Sequence, residues 1–511
     1  MSYGIRRLAA GAISFLALLA FASTASARPD ATGWAELQSA AGHFDIHYPA
    51  SVSASDAQTV AANLETAYSV EVGSWGFAPP VNDGDGMVDV YIEDTGGNLG
   101  EASPDHPGPA TSGYIVIDPT SVGNMETEAH ELFHILQYAI DSRGAKFLKE
   151  GTAEWAGANV AGNTSWLLSY WGSPDQPLDC ADTTPCAVDG MSYARWIFFD
   201  YLSEQYGPGI VKEILMQAAA SNAGDDPGKD LQAIDQVLQA HGSSLTQAFN
   251  GFTQANAGGS YSFPGLAGGQ SLPHSAASLY TGVTSAALPT QTLTIDHLAA
   301  NYVYFYSGDT RFSSAGCGAA TLHITVDLPA GSTSVPSVSD AFGVHPLTVN
   351  GSTASADVPW TNCQGSLTSL GIPNPTDADG QQFVVHTSLQ ITPVRQRAGT
   401  APPRIRLGLP KLASVARRLP VLRFNVHSSG RGTLQVLLHS HYVRGSYRVK
   451  AGTNRIRLRL PKSFQGGRHE LVLTVYSTTG RRGQTIKRHL RIHLAGEVVS
   501  HRASKPHRFA R

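Results

Sequence analysis

The sequence predicts an α+β protein: a strand-containing N-terminal lobe and a helical lobe make a first domain, and two all-β, sandwich-like domains follow. Three observations carry that expectation. Apolar and polar residues alternate in short runs before residue 120, apolar residues recur at helical spacing from about 124 to 256, and alternation returns beyond 275. Gly- and Pro-rich stretches separate these regions. A chain of 511 residues, 42% of them hydrophobic, also holds enough apolar material for more than one core.

In order along the chain, Arg6 and Arg7 precede an apolar run from Leu8 to Phe21, and Ala25-Ser26-Ala27 supplies small residues before an expected cleavage point. Residues 1–27 therefore read as a signal peptide, and the expected destination is extracellular or cell-wall associated. No later segment approaches the 18 or so apolar residues of a membrane helix. His43 to Tyr48 alternates as a half-buried strand, a helix follows from Asp56 behind a cap at Ser55, and strands are expected at Met87 to Glu93 and Gly113 to Asp118. Helical segments are expected near 124–140, 150–160, 191–206, 208–219, 229–241 and 244–256. The first domain is placed at 28–257, a Gly/Pro/Ser-rich linker at 258–274, an all-β domain at 275–394 and a basic β-sandwich-like domain with its tail at 395–511.

The charge is divided unevenly. Residues 28–394 carry 8 Lys and Arg against 38 Asp and Glu, whereas residues 395–511 carry 26 against 2. Arg455, Arg457 and Arg459 alternate with apolar residues, so one strand face carries three cations. That domain is expected to hold an anionic cell-surface polymer, to dock on the acidic body, or simply to be a solvated β-domain. No aromatic interleaving points to specific nucleic-acid recognition. Four cysteines fit an oxidising compartment, and proximity favours pairing Cys180 with Cys186 and Cys317 with Cys363, although three arrangements exist for four cysteines.

The chemistry concentrates in His130-Glu131-Leu132-Phe133-His134. On a helix the two histidines lie one turn apart on one face, so both imidazoles reach a single metal with Glu131 beside it. A hydrolytic zinc needs a third protein ligand and an open position for water. Glu150 and Glu154, in Glu150-Gly151-Thr152-Ala153-Glu154-Trp155, are also one turn apart and can face a metal from a second helix.

This pair of segments resembles the zinc-binding helices of gluzincin metallopeptidases, and His134-Ile135-Leu136-Gln137 is similar to a group of secreted bacterial metalloproteases with a His-Glu-x-Phe-His-x-x-Gln core. The resemblance implies a zincin-like domain, Glu150 as third zinc ligand, and Glu154 as a carboxylate behind the ligands that holds one imidazole, that of His130. It implies a secreted zinc endopeptidase in which zinc activates water and Glu131 is the general base. A metzincin would need Gly at 137 and His at 140, where this chain has Gln137 and Ile140. Tyr193 is a candidate transition-state donor, against the ordinary reading of a packing tyrosine. Two other classes stay open: a surface-binding or adhesive protein with an inactive zincin domain, and a zinc hydrolase of a non-peptide amide. Asp83, Asp85 and Asp89 have the spacing of a calcium loop but lack its completing acid, so a turn before a strand competes with Ca2+ binding. His43 and His47 are expected to face solvent from the polar side of their strand.

Overall fold

A computed structural model describes residues 28–180, 190–266, 280–281, 290–306, 319–340, 343–361, 367–391, 403–408, 412–416, 421–438, 443–460, 467–477 and 482–495. The expected leader, Cys186, Cys317, Cys363 and the latter part of the expected linker lie outside the described residues. Cys180 is buried and disulfide-bonded. The chain divides into two compact units, Met1–Val72 with Phe77–Arg143, and Gly73–Gly76 with Gly144–Arg511.

The first unit is built on strands β1 (Ala35–Gln38), β2 (Phe44–Tyr48), β3 (Val88–Ile92), β4 (Gly100–Pro104) and β5 (Gly113–Ile117), in the order β1-β2-β3-β5-β4. The three central strands run parallel, and β1 and β4 are antiparallel edges. Phe44, Ile46, Val90, Ile92, Ile115 and Ile117 are fully buried on one face, where α1 (Ala54–Tyr68) and α2 (Met125–Ile140) pack. The sequence reading missed β1 and β4. Edge strands need little burial, and Gly-Glu-Ala-Ser-Pro in β4 reads as a turn by composition. The cap of α1 is Ser53, not Ser55: its hydroxyl accepts from Asp56 N–H, and Asp56 returns the contact to the Ser53 backbone as a capping box.

The helices of the second unit are α3 (Lys146–Ala161), α4 (Ser169–Gly172), α5 (Met191–Ala194), α6 (Trp196–Tyr206), α7 (Gly209–Ala220), α8 (Pro227–Ala240) and α9 (Leu245–Gly258). The single helix expected over 191–206 is broken at Arg195. Helix α9 runs to Gly258, the first residue of the expected linker, and Gly259 closes it in the left-handed region at φ 60°.

Asp200 on α6 is buried, one oxygen accepting from Asn159 Nδ2 at 3.1 Å and the other without a hydrogen-bond partner. Burial pushes its pKa up to about 7, opposed by the Asn159 bond and reinforced by Glu204. The unfolded chain releases this proton near pH 4 while the folded chain keeps it to about 7, so stability falls as pH rises through that window and stays lowered above it. Asp200→Asn should match the parent near pH 4 and exceed it at pH 8 by a few kcal/mol, with about 4 as a ceiling. Urea midpoints at the two pH values check this, and parallel pH profiles would refute it.

Beyond α9, one sheet holds β6 (Tyr280–Thr281), β8 (Ala299–Tyr306), β10 (Ser337–Asp340), β11 (Gly343–Pro346) and β14 (Leu367–Asn374). A second holds β7 (Gln291–Ile295), β9 (Ala319–Asp327), β12 (Thr348–Asn350), β13 (Thr353–Thr361) and β15 (Gln381–Ile391). All pairings except β6 with β8 are antiparallel. Val303, Phe305, Leu322, Ile324, Leu370 and Phe383 share one core. Helix α9 lies on β10, β11 and β14. Ser369 Oγ donates to Ala257 O at 2.9 Å, and a Cβ on Gly371 would meet Thr253 Cγ2 at 3.1 Å, so glycine there permits the close approach.

The remaining strands form a three-stranded sheet of β16 (Ile405–Gly408), β18 (Val421–Ser428) and β21 (Gly452–Arg459). Its companion sheet contains β17 (Leu412–Ala416), β19 (Gly432–Leu438), β20 (Val443–Val449), β22 (Gly467–Ser477) and β23 (Arg482–Ala495). Leu422, Val426, Leu434, Leu458, Leu473 and Val475 are buried between them. The outer face of the three-stranded sheet exposes Arg406, Arg423, Arg455, Arg457 and Arg459, with Arg423 directly opposite Arg457 in register. Among the described residues no helix is long and apolar enough to cross a membrane.

Candidate metal centre

Helix α2 is fixed at both ends. Gly123 N–H and Asn63 Nδ2 donate to the two oxygens of Glu128, which ties the first turn of α2 to α1. Burial nevertheless pushes the Glu128 carboxyl up to about 7. Phe77 meets Phe133 edge-on at 4.9 Å, and Tyr138 OH donates to Ala102 O at 2.8 Å in β4. A Cβ on Gly113 would lie 2.6 Å from Ser103 O and 2.9 Å from the Tyr138 ring, so only glycine lets the sheet come this close to α2.

On that helix His130, Glu131 and His134 are all buried. The Nε2 atoms of the two imidazoles lie 3.1 Å apart. His134 Nδ1 is 2.7 Å from Gln137 Oε1, and an amide oxygen only accepts, so Nδ1 carries the proton. A neutral His134 then presents a lone pair at Nε2 toward His130. That is the tautomer a metal ligand requires, with its other nitrogen held by a polar partner. The residues of α2 fit a divalent metal, since His130 and His134 each offer an imidazole nitrogen with the two Nε2 atoms 3.1 Å apart.

Glu150 and Glu154 stand on α3. Ala145 N–H donates to buried Asp230 Oδ2 of α8 at 2.8 Å, which supplies the cap that the α3 start lacks. A Cβ on Gly151 would meet Phe199 at 2.9 Å, so the glycine after Glu150 seats α3 against α6. Glu154 is buried and accepts a hydrogen bond from Thr164 Oγ1. Tyr193 is half-buried on α5, its ring stacked on Trp166 at 5.1 Å.

The sequence reading names Gln137 in its motif without giving it a role, and it passes over Glu71 and Gly100. Gln137 is the partner that fixes His134, a role legible from its place one turn beyond it. Glu71 is fully buried in the π-helical turn Ser69–Ser74, its carboxylate oxygens without hydrogen-bond partners. Burial drives that carboxyl far above its usual range, and His130 pulls the other way. Gly100 backs onto the catalytic candidate: a Cβ there would come within 2.8 Å of Glu131 Cγ and 3.0 Å of Oε1. Gly100→Ala should therefore displace the Glu131 carboxylate, and any hydrolysis that depends on that carboxylate should fall by about 10- to 100-fold while metal binding stays constant. Unchanged turnover would show that the Glu131 position is not critical.

Of the two readings of the Asp83–Asp89 segment the structure has the turn, and the expectation for His43 and His47 is corrected. Asp83, Asp85 and Asp89 do not gather as a calcium site: Arg28 bonds Asp83 and Asp89, while Asp85 Oδ1 accepts from Met87 N–H. The segment is a turn in which Asn82 Oδ1 accepts from Gly84 and Gly86 N–H. His43 and His47 are not simply solvated either. His43 bonds Glu65 and stacks on Tyr68, and His47 Nε2 lies 3.0 Å from Asp89 Oδ1 with its ring on Tyr91.

No known family and no curated protein matches the chain. Among solved structures, similarity is found to a glycoside hydrolase domain, Endo-D, of Streptococcus pneumoniae at 10% identity and TM-score 0.16, covering 40% of this chain and 31% of that one. An adhesin domain of Epf from Streptococcus pyogenes follows at 11% identity and TM-score 0.15, covering 40% and 81%. A Bacillus licheniformis lipase in propeptide form gives 10% and 0.15, covering 45% and 47%. At such TM-scores none of these bears on fold or activity.

Proposed function

We propose that the chain is a secreted, zinc-dependent endopeptidase with a zincin-like, gluzincin-type centre. The observation that carries the reading is the buried imidazole pair on α2, with His134 held by Gln137 in the ligand tautomer. The mixed sheet with its antiparallel edge strand β4, and Glu131 against Gly100 of that strand, are consistent with it.

His130, His134 and Glu150 would hold the ion, which when bound supplies Lewis acidity toward a carbonyl and lowers the pKa of water. Glu131 accepts the proton of the attacking water through its carboxylate and returns it to the leaving amine nitrogen. Gln137 keeps the His134 lone pair directed, and Glu154 stands behind the ligands. Tyr193 is the candidate donor to the oxyanion. Metal analysis together with digestion of a proteome-derived peptide mixture tests the proposal. About one zinc per chain at this centre and chelator-sensitive cleavage are expected, and cleavage that survives metal removal would refute it.

The arginine face of the three-stranded sheet is the proposed seat of an anionic cell-surface polymer. Like charges opposite one another, as in Arg423 and Arg457, repel unless counter-charge arrives. Replacing Arg423, Arg455, Arg457 and Arg459 by serine should abolish retention on an acidic glycan and leave hydrolysis unchanged. Retention of the parent should fall between 0.1 and 1 M salt, as the Debye length drops from about 10 to about 3 Å. Equal retention of parent and variant would dismiss this face.

A further inference from the structure

The sheet face opposite α1 and α2 is polar at its centre. Asp45 and His47 alternate on β2, and Asp89 sits on the adjacent parallel strand in register with Asp45. Asp45, His47 and Asp89 each offer one ligand atom, and these atoms lie within 4.8 Å of one another. Asp45 is 5% exposed; its carboxyl shares a hydrogen bond with Glu36 of β1, while its Oδ1 has no hydrogen-bond partner. His47 is fixed by its stack on Tyr91, 4.9 Å between centroids, with Nε2 at 3.0 Å from Asp89 Oδ1.

Two carboxylates side by side on neighbouring strands, one of them buried, repel and are poorly solvated unless a cation sits between them. Arg28 is close, but its hydrogen bonds go to Asp83, Asp89 and Asp105. One guanidinium is thus set among three carboxylates, and Asp45 adds a fourth without a hydrogen bond from it. Carboxylates that outnumber the cation, an imidazole nitrogen and an unpartnered buried oxygen are the composition of a divalent site.

We infer that Asp45, His47 and Asp89 bind a divalent transition cation such as Zn2+ or Mn2+, which ties β2 to β3 on the face away from the helices. The histidine decides the class, because Ca2+ takes oxygen ligands whereas imidazole suits first-row transition metals. Ligand atoms around a tetrahedral ion with bonds of about 2.0–2.2 Å stand about 3.3–3.6 Å apart, so side-chain adjustments of an ångström or so close the set. Arg28 competes for Asp89, which makes it a modulator of affinity.

The test is zinc stoichiometry and melting temperature of full-length, metal-stripped protein. The parent should take up two equivalents, His130→Ala with His134→Ala one, and that double variant should still melt higher when Zn2+ is added. Adding Asp45→Asn to the double variant should abolish the remaining equivalent without lowering the metal-free melting temperature, since it removes a buried carboxylate that Glu36 and Asp89 repel, and an amide can still bond Glu36. Arg28→Ala should tighten the second equivalent several-fold, and Ca2+ should not replace Zn2+. A double variant that binds no zinc, or one whose remaining equivalent survives Asp45→Asn, would overturn the inference. The reading of the α2 centre fails separately, if His130→Ala with His134→Ala leaves the parent stoichiometry unchanged.

Discussion

Glu131→Gln should keep its metal and lose peptide hydrolysis by about 10²- to 10⁴-fold in kcat/KM, the range by which a positioned general base accelerates proton transfer. That corresponds to about 3–5.5 kcal/mol of transition-state stabilisation. Glutamine has nearly the same size, so the contact of residue 131 with Gly100 persists and the fold is not disturbed. His130 and His134 remain, and with them the Gln137 hydrogen bond that directs the His134 lone pair. The variant therefore separates holding the ion from moving the proton. Zinc content and hydrolysis measured on the same preparation decide it, and undiminished turnover would remove Glu131 from the mechanism.

The second large effect concerns α3. Glu150→Ala should lose most bound zinc, because it deletes the proposed third ligand. Glu154→Ala should weaken binding about 10- to 100-fold, as loss of a partner behind the ligands does. It should also cost stability, because Thr164 Oγ1 would lose its acceptor in a buried setting. Equal zinc affinity in the two variants would show that the third ligand is misassigned, and the reverse order would exchange their roles.

These two helices were legible in the sequence because every relationship in them is local. Histidines four apart, acids four apart and a glutamine three beyond a histidine share a helix face whatever the rest of the chain does. The other group was hidden. Asp45 and Asp89 are 44 residues apart and become neighbours only through parallel pairing of β2 with β3, which no periodicity announces. Arg28 likewise meets Asp83, Asp89 and Asp105 across long sequence separations. In the sheet, β4 escaped notice because its Gly and Pro suit an edge, and the role of Gly100 depends on Glu131 arriving from a distant helix. The boundaries of α6, α7 and α8 were readable to within a few residues of an apolar stripe, whereas the break at Arg195 was not.

The seating of α9 on β10, β11 and β14 has a consequence for how the chain comes apart. The helix gives its carbonyl at Ala257 to Ser369, and Asn250 holds Thr333 and Val335 through both ends of its amide. Lifting α9 off these strands would expose the buried Ala257 of the helix and break these bonds at once. Helices and first sandwich are thus coupled in unfolding, so that a blow to either core is shared by the other.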